Sequence, residues 1–224
     1  MNYRPQPRTR ISAFTLVELL TVITIIAILM GLLFPAIGIA KDQARKAEAR
    51  TAVTGITAAV KQYYTEYGKY PLGDLANPAS PTDVIFGDST NPNQKLFDIL
   101  RNIGPSQGQP NQYNPRAIVF FDGRTATDAS APKSGFATQD GPNGVTKNSF
   151  VDPWGYQYRI CIDGDYDNKI SNLPYNDFQN EKAPLTGVAA FSVGKDGGVG
   201  NAKAGDNMYR STTGTNSDDI ITWQ

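Results

Sequence analysis

FTLVELLTVITIIAILMGLLFPAIGIA, residues 14–40, is almost wholly apolar and holds one ionisable side chain, Glu18. A helix needs about 20 apolar residues to cross a bilayer, so this run is long enough to span one. A carboxylate inside such a run is costly and marks function, with a partner expected. Upstream, Arg4, Arg8 and Arg10 lie in a leader without a single acid, which ends at Ala13. An ordinary secretory signal has an apolar core of about 7–15 residues before a small-x-small cut. Gly38-Ile39-Ala40 imitates such a cut, but the run is too long and contains the acid. A plain membrane anchor accounts for the length and not for Ala13-Phe14 beside a glutamate. The alternative reading of Glu18 is a tolerated polar residue near the membrane interface.

The order basic leader, Ala13, then Phe14-Thr15-Leu16-Val17-Glu18-Leu19-Leu20 resembles the type IV prepilin signal, shared by type IV pilins and the pseudopilins of type II secretion. The resemblance implies cleavage by a prepilin peptidase between Ala13 and Phe14, and N-methylation of Phe14. The family normally has glycine where Ala13 stands. It also implies that Glu18 serves assembly, meeting the Phe14 amine of a neighbouring subunit or of its own chain. Unlike charges attract strongly in low dielectric, and one left unpaired there is penalised by several kcal/mol. Pro35 lies where such pilins commonly carry a proline. It would either melt the helix locally for assembly or merely kink it.

Beyond the apolar run, Val53, Ile56, Val60, Tyr63 and Tyr67 recur at spacings of three and four, one apolar helical face. Gly68 and Pro71 then stop the helix. One helix over residues 14–67 would be about 81 Å long. Prolines crowd residues 73–148, which reads as an irregular region. Within it, Leu96, Phe97, Leu100 and Ile103 suggest a short helix, and residues 117–121 a strand. Tyr156, Tyr158, Ile160 and Ile162 alternate with Gln157, Arg159, Cys161 and Asp163, the period of a half-buried strand. Residues 187–193 and 220–223 read as further strands.

The expected class is α+β: a pilin-like fold whose long N-terminal helix, a membrane half followed by an amphipathic half, packs on a small antiparallel sheet, with a long irregular αβ loop between. The expected division is a cleaved leader (1–13), a membrane and polymerisation helix (14–40), its amphipathic half (41–67), a variable loop region (68–148), and a sheet with acidic C-terminal loops (149–224).

The 224 residues carry 21 basic and 21 acidic side chains. Loss of the leader's three arginines leaves the mature chain net acidic, which speaks against nucleic acid as a partner. There is no histidine, so His-dependent triads and imidazole metal sites are excluded. Cys161 is the single cysteine, so no intramolecular disulfide can form. It lies in a strand-like run and reads as structural.

Asp152-Pro153-Trp154-Gly155 before a tyrosine-bearing strand resembles a turn of the major pseudopilin of type II secretion. Residues 191–198 (FSVGKDGG) and 217–223 (SDDIITW) look like its calcium loop. The resemblance implies a Ca²⁺ held by Asp196 and Asp218 with Asp219 or Ser217, since calcium takes six to eight oxygen ligands. Asp163, Asp165 and Asp167 imitate the start of an EF-hand loop, but Asn168 and Pro174 stand where glycine and glutamate belong. A looser calcium turn or an acidic hairpin are the two readings of that segment.

The expected function is therefore a non-enzymatic filament subunit, most like the major pseudopilin, driving protein export. A true type IV pilin for adhesion, motility or DNA uptake is the near alternative. A membrane-anchored hydrolase using paired acids is the remote one. The expected partners are copies of itself, minor pseudopilins, an inner-membrane assembly platform, the prepilin peptidase and the membrane. The expected location is the bacterial inner membrane, as a single pass, and then a periplasmic or extracellular filament.

Overall fold

A computed structural model of the chain describes residues 15–106, 108–171, 173–175, 186–200 and 217–223. Its contacts fall into two compact units that divide between Ala44 and Arg45.

The first unit is formed by the opening turns of helix α1 (Leu16–Tyr67), which continues unbroken through Pro35. Large apolar side chains from Leu16 to Ile39 are all exposed, from 40% to 80%. By length and composition this helix can cross a membrane.

In the second unit α1 is amphipathic. Ala49, Val53, Ile56, Ala59, Val60 and Tyr63 are buried, following the three-and-four spacing of one helical face. They pack on a four-stranded antiparallel sheet of β1 (Val84–Phe86), β4 (Arg159–Ile162), β5 (Val188–Ser192) and β6 (Ile220–Ile221), in that spatial order. Register pairs Phe86 with Ile160, Ile160 with Ala190, and Ser192 with Ile220. Phe86, Tyr158, Ile160, Ile162, Val188 and Ala190 form the side of the core that meets α1. This is the α+β, pilin-like arrangement expected.

Three expectations are corrected. Strand β4 is buried on both faces. Cys161 is fully buried with Ile170, Leu173, Tyr175, Ala189 and Phe191 in a second apolar cluster, and Gln157 and Asp163 are buried as well. Alternation alone could not reveal this, because the residues that cover the second face come from an irregular stretch after the strand. Burial pushes the Cys161 thiol far up from its ordinary pKa, so it stays protonated and inert.

Residues 117–121 form no strand. Ala117 is left-handed (φ 55°), and Phe120 and Phe121 both donate to the Leu100 carbonyl. The buried amide of Asn114 takes both backbone groups of Ile118: Nδ2 donates to Ile118 O (2.6 Å) and Oδ1 accepts from Ile118 N (3.2 Å). The ladder a strand would need is therefore already occupied.

The stretch read as irregular carries regular pieces: β1, helix α2 (Gln94–Leu100) and β2 (Gly135–Phe136), which pairs with β3 (Phe150–Val151). Ile103 lies beyond the end of α2. Phe97, Phe121, Phe136 and Phe150 meet with ring centroids 4.7–6.1 Å apart. Such pairs add about 0.5–1.5 kcal/mol each beyond burial.

One buried amide ties α2 to the strands. Asn93 Nδ2 donates to Phe150 O (2.8 Å) and Tyr158 O (2.9 Å), and its Oδ1 accepts from Phe150 N (3.0 Å). Asn93→Ala strands two buried backbone groups, Phe150 N and Tyr158 O, and takes from Phe150 O one of its two donors, the other being Tyr158 N. Each unpaired group costs about 1–3 kcal/mol, so a loss of roughly 2 kcal/mol or more is expected. Thermal melting of the detergent-solubilised chain measures it. A variant as stable as the parent would contradict this account.

Candidate functional site

Ala13 and Phe14, the expected cleavage pair, lie outside the described residues. Just after them the chain closes its own helix start. Thr15 N donates to Glu18 Oε2 (2.8 Å), Thr15 Oγ donates to the same oxygen (2.8 Å), and Glu18 N donates to Thr15 Oγ (3.2 Å). This is a capping box, in which threonine and a glutamate three residues later satisfy each other's end groups. The Thr15-x-x-Glu18 spacing was its signal in the sequence, and the reading of Glu18 as a membrane charge overlooked it. Glu18 Oε1 has no hydrogen bond among the described residues. Pro35 sits mid-helix within the exposed apolar segment.

The C-terminal acids come together. Carboxylate oxygens of Asp196, Asp218 and Asp219 all lie within 4.8 Å of one another. The loop after β5 brings Asp196, and the residues just before β6 bring the other two. Lys195 N donates to Asp218 Oδ2 (2.7 Å) and Gly198 N to Asp196 Oδ1 (3.0 Å). Gly194 (φ +68°) is needed for the close approach, since a side chain there would meet Asp218 Cγ at 2.7 Å. Ser217 Oγ donates to Gly200 O (2.7 Å) and accepts from Asp219 N (3.1 Å), so it latches the loop.

Asp219 is the buried member, only 3% exposed. Its Oδ2 accepts from Tyr175 OH (2.6 Å) and Gly200 N (2.8 Å). Its Oδ1 is buried with no hydrogen-bond partner among the described residues. Burial pushes its carboxyl up to about 7, against hydrogen bonds from Tyr175 and Gly200 that hold it down. A bare, buried oxygen on a carboxylate that is clustered with two others suits a hard cation that takes oxygen ligands.

The second acidic segment is arranged differently. Asp163 and Asp165 are joined by Asp83, with oxygens within 4.8 Å, and Asp167 is not part of the group. Asp163 is buried, and both of its oxygens serve the turn itself, accepting from Tyr166 N (2.6 Å) and Asn168 N (2.9 Å). Asp83 Oδ2 accepts from Ser171 N (2.6 Å), and Asp167 Oδ1 from Lys169 N (2.8 Å). Burial raises the carboxyl pKa of Asp83 and of Asp163. Asp83 was missed in the sequence because it lies far upstream, at the entry to β1.

The Asp152-Pro153-Trp154-Gly155 turn is built on a fully buried carboxylate. Asp152 Oδ1 accepts from Trp154 N (2.9 Å), Gly155 N (2.8 Å) and Tyr156 N (2.9 Å). Its Oδ2 accepts from Ser192 Oγ (2.6 Å). Burial pushes this carboxyl up to about 6, opposed by those four donors. Trp154 is half-buried against the core that α1 shares with the sheet.

Comparison with known proteins agrees with the N-terminal observations. A family model described as the prokaryotic N-terminal methylation motif matches residues 8–34. The chain is 38% identical over 74 residues to a type IV major pilin protein PilE1 of Neisseria gonorrhoeae, covering 33% of this chain and 35% of that one. A second PilE1 of the same organism is 39% identical over 75 residues, 33% and 46% of the two chains. A fimbrial protein of Neisseria meningitidis serogroup A / serotype 4A is 38% identical over 72 residues, 32% and 42%. The chain thus spans less than half the length of these relatives. No solved structure matches it.

Proposed function

We propose that this chain, which is type IV pilin-like, is the structural subunit of a pilus-like filament and serves as the major pseudopilin of a type II secretion system. The observation that carries the reading is the methylation motif at residues 8–34 running directly into a helix whose apolar residues stay exposed from Leu16 to Ile39. Exposed apolar surface on that scale calls for a lipid or protein covering. Membrane before assembly and neighbouring copies after it supply the two coverings. In this reading residues 1–13 are the cleaved leader, 14–40 insert and polymerise, 41–67 hold the folded unit, 68–148 form the connecting region and 149–224 the sheet with its acidic loops. The prepilin peptidase cuts between Ala13 and Phe14 and methylates Phe14. The subunit passes once through the inner membrane, engages an assembly platform and minor pseudopilins, and forms a periplasmic fibre that pushes cargo outward. No catalytic residue is needed for this.

Calcium belongs to the same proposal. Asp196, Asp218 and Asp219 would hold it, and the bare Asp219 Oδ1 supports that set. When bound, Ca²⁺ would offset most of the charge of the three acids and tie the loop after β5 to the residues just before β6.

A second reading, a true type IV pilin, is favoured by the relatives, which are named major pilin and fimbrial proteins. The turn at Asp152 and the acidic loop favour the pseudopilin. Deleting the gene separates them: a secretion defect without loss of surface fibres supports the first, and loss of long fibres supports the second. Intact mass of the mature protein tests the common premise. The expected product lacks residues 1–13 and carries one added methyl group. A filament protein that retained Met1 would overturn both readings.

A further inference from the structure

The proposed cation loop does not stand alone, and what fixes it lies outside the three acids. From Asp152 two routes lead to it. The first runs through Ser192: its Oγ donates to Asp152 Oδ2 (2.6 Å) and accepts from Gly194 N (3.2 Å). Gly194 is the residue whose close approach to Asp218 leaves no room for a side chain, and the next amide, Lys195 N, donates to Asp218 (2.7 Å). The second runs through Tyr156, whose amide Asp152 Oδ1 fixes (2.9 Å). The Tyr156 ring lies against Gly197, a residue with φ +74° and no space for a Cβ beside that ring. Asp152 and Ser192 are both fully buried, so the two bonds of the Ser192 route have no water competing for them. Asp196 sits between these two anchors, Gly194 and Gly197.

We infer that Asp152 and Ser192 are positioning residues for the cation site: they hold Gly194 to Gly197 so that the Asp196 carboxylate meets those of Asp218 and Asp219. The inference rests on the calcium reading above and adds the residues that preorganise the site. Groups that orient metal ligands from behind typically govern affinity by 10–100-fold.

The test uses the full chain in detergent, titrated with CaCl₂ by calorimetry and melted in EDTA and in calcium. Ser192→Ala removes the link and leaves Asp152 its three amide donors. Asp152→Asn keeps the Oδ1 acceptor and changes only the Oδ2 side, so it serves if the first variant folds poorly. Each is expected to weaken calcium binding by about 10-fold or more. Each should also shrink the rise in Tm that calcium brings. Ile160→Val, a core change in β4, should lower Tm equally in both buffers and leave calcium affinity unchanged. If Asp219→Asn abolishes binding while Ser192→Ala and Asp152→Asn bind like the parent, the positioning role is overturned and the calcium site stands. If the parent binds no calcium, the site and its positioning residues fall together.

Discussion

Cells carrying Glu18→Ala are expected to place the chain in the inner membrane as before and to assemble no filament. Insertion depends on the length of the apolar run, which the substitution leaves intact. Assembly needs more, because Glu18 is the sole ionisable group between Leu16 and Ala40. Its Oε2 is occupied by Thr15, and among the described residues Oε1 is left for a further donor. In the proposed filament that donor is a Phe14 amine, made available by cleavage. A charge buried without its partner costs about 3–5 kcal/mol, repeated at every subunit. Glu18→Gln divides the two roles of this side chain. Glutamine still completes a capping box, so if capping is the whole contribution, this variant assembles normally. If the charge matters, it fails as alanine does. Membrane fractionation followed by electron microscopy of sheared fibres reads all three outcomes. Normal fibres from Glu18→Ala would remove the assembly role altogether.

Stripping calcium should produce the second large effect. A ligand present at 100 times its Kd stabilises by about 2.7 kcal/mol. For a chain of this size that is a fall in Tm of roughly 5–10 °C on adding EDTA. Asp219→Ala should abolish the difference between buffers, and Asp165→Ala should preserve it. The pH dependence follows from the same carboxyl. Asp219 has a folded pKa of about 7 and Asp152 of about 6, both above the ordinary value of 3.8. Between pH 4 and 7 the folded chain therefore keeps protons that the unfolded chain has released. Stability without calcium is fully present below pH 4 and declines as pH rises through 6 and 7. The decline amounts to at most roughly 7 kcal/mol, because each tenfold difference in proton affinity between folded and unfolded chain is worth about 1.4 kcal/mol. Calcium should flatten the upper part of that decline by favouring ionised Asp219. Denaturation midpoints at pH 4.5, 6 and 7.5, with and without calcium, measure both effects. A profile that rises with pH would contradict the assignment.

The helix was the most legible element in the sequence. Its apolar run, its three-and-four spacing up to Tyr67 and its stop at Gly68 are local signals, and α1 ends at Tyr67. Strands β4, β5 and β6 were legible for the same reason. What stayed hidden depends on distant partners. Val84-Ile85-Phe86 is too short to carry a period, and it becomes a strand only because β4 offers an open edge. The cover over Cys161 comes from Ile170, Leu173 and Tyr175, which show no pattern of their own. At the acidic sites the residue types were readable, and their company was not. Asp218 and Asp219 meet Asp196 across a loop, whereas Asp163 folds back on its own backbone. Tyr175, which donates to Asp219 Oδ2, gave no hint of that role.

The burial of Ala49 to Tyr63 within the second unit has a consequence for timing. That stretch of α1 completes its contacts using only residues of its own chain. In the proposed filament, folding of this part of each protomer can thus finish while it is still lodged in lipid, and growth of the fibre can draw on a reservoir of finished parts. Joining would then exchange one greasy environment for another, with no refolding of that buried stretch to slow it.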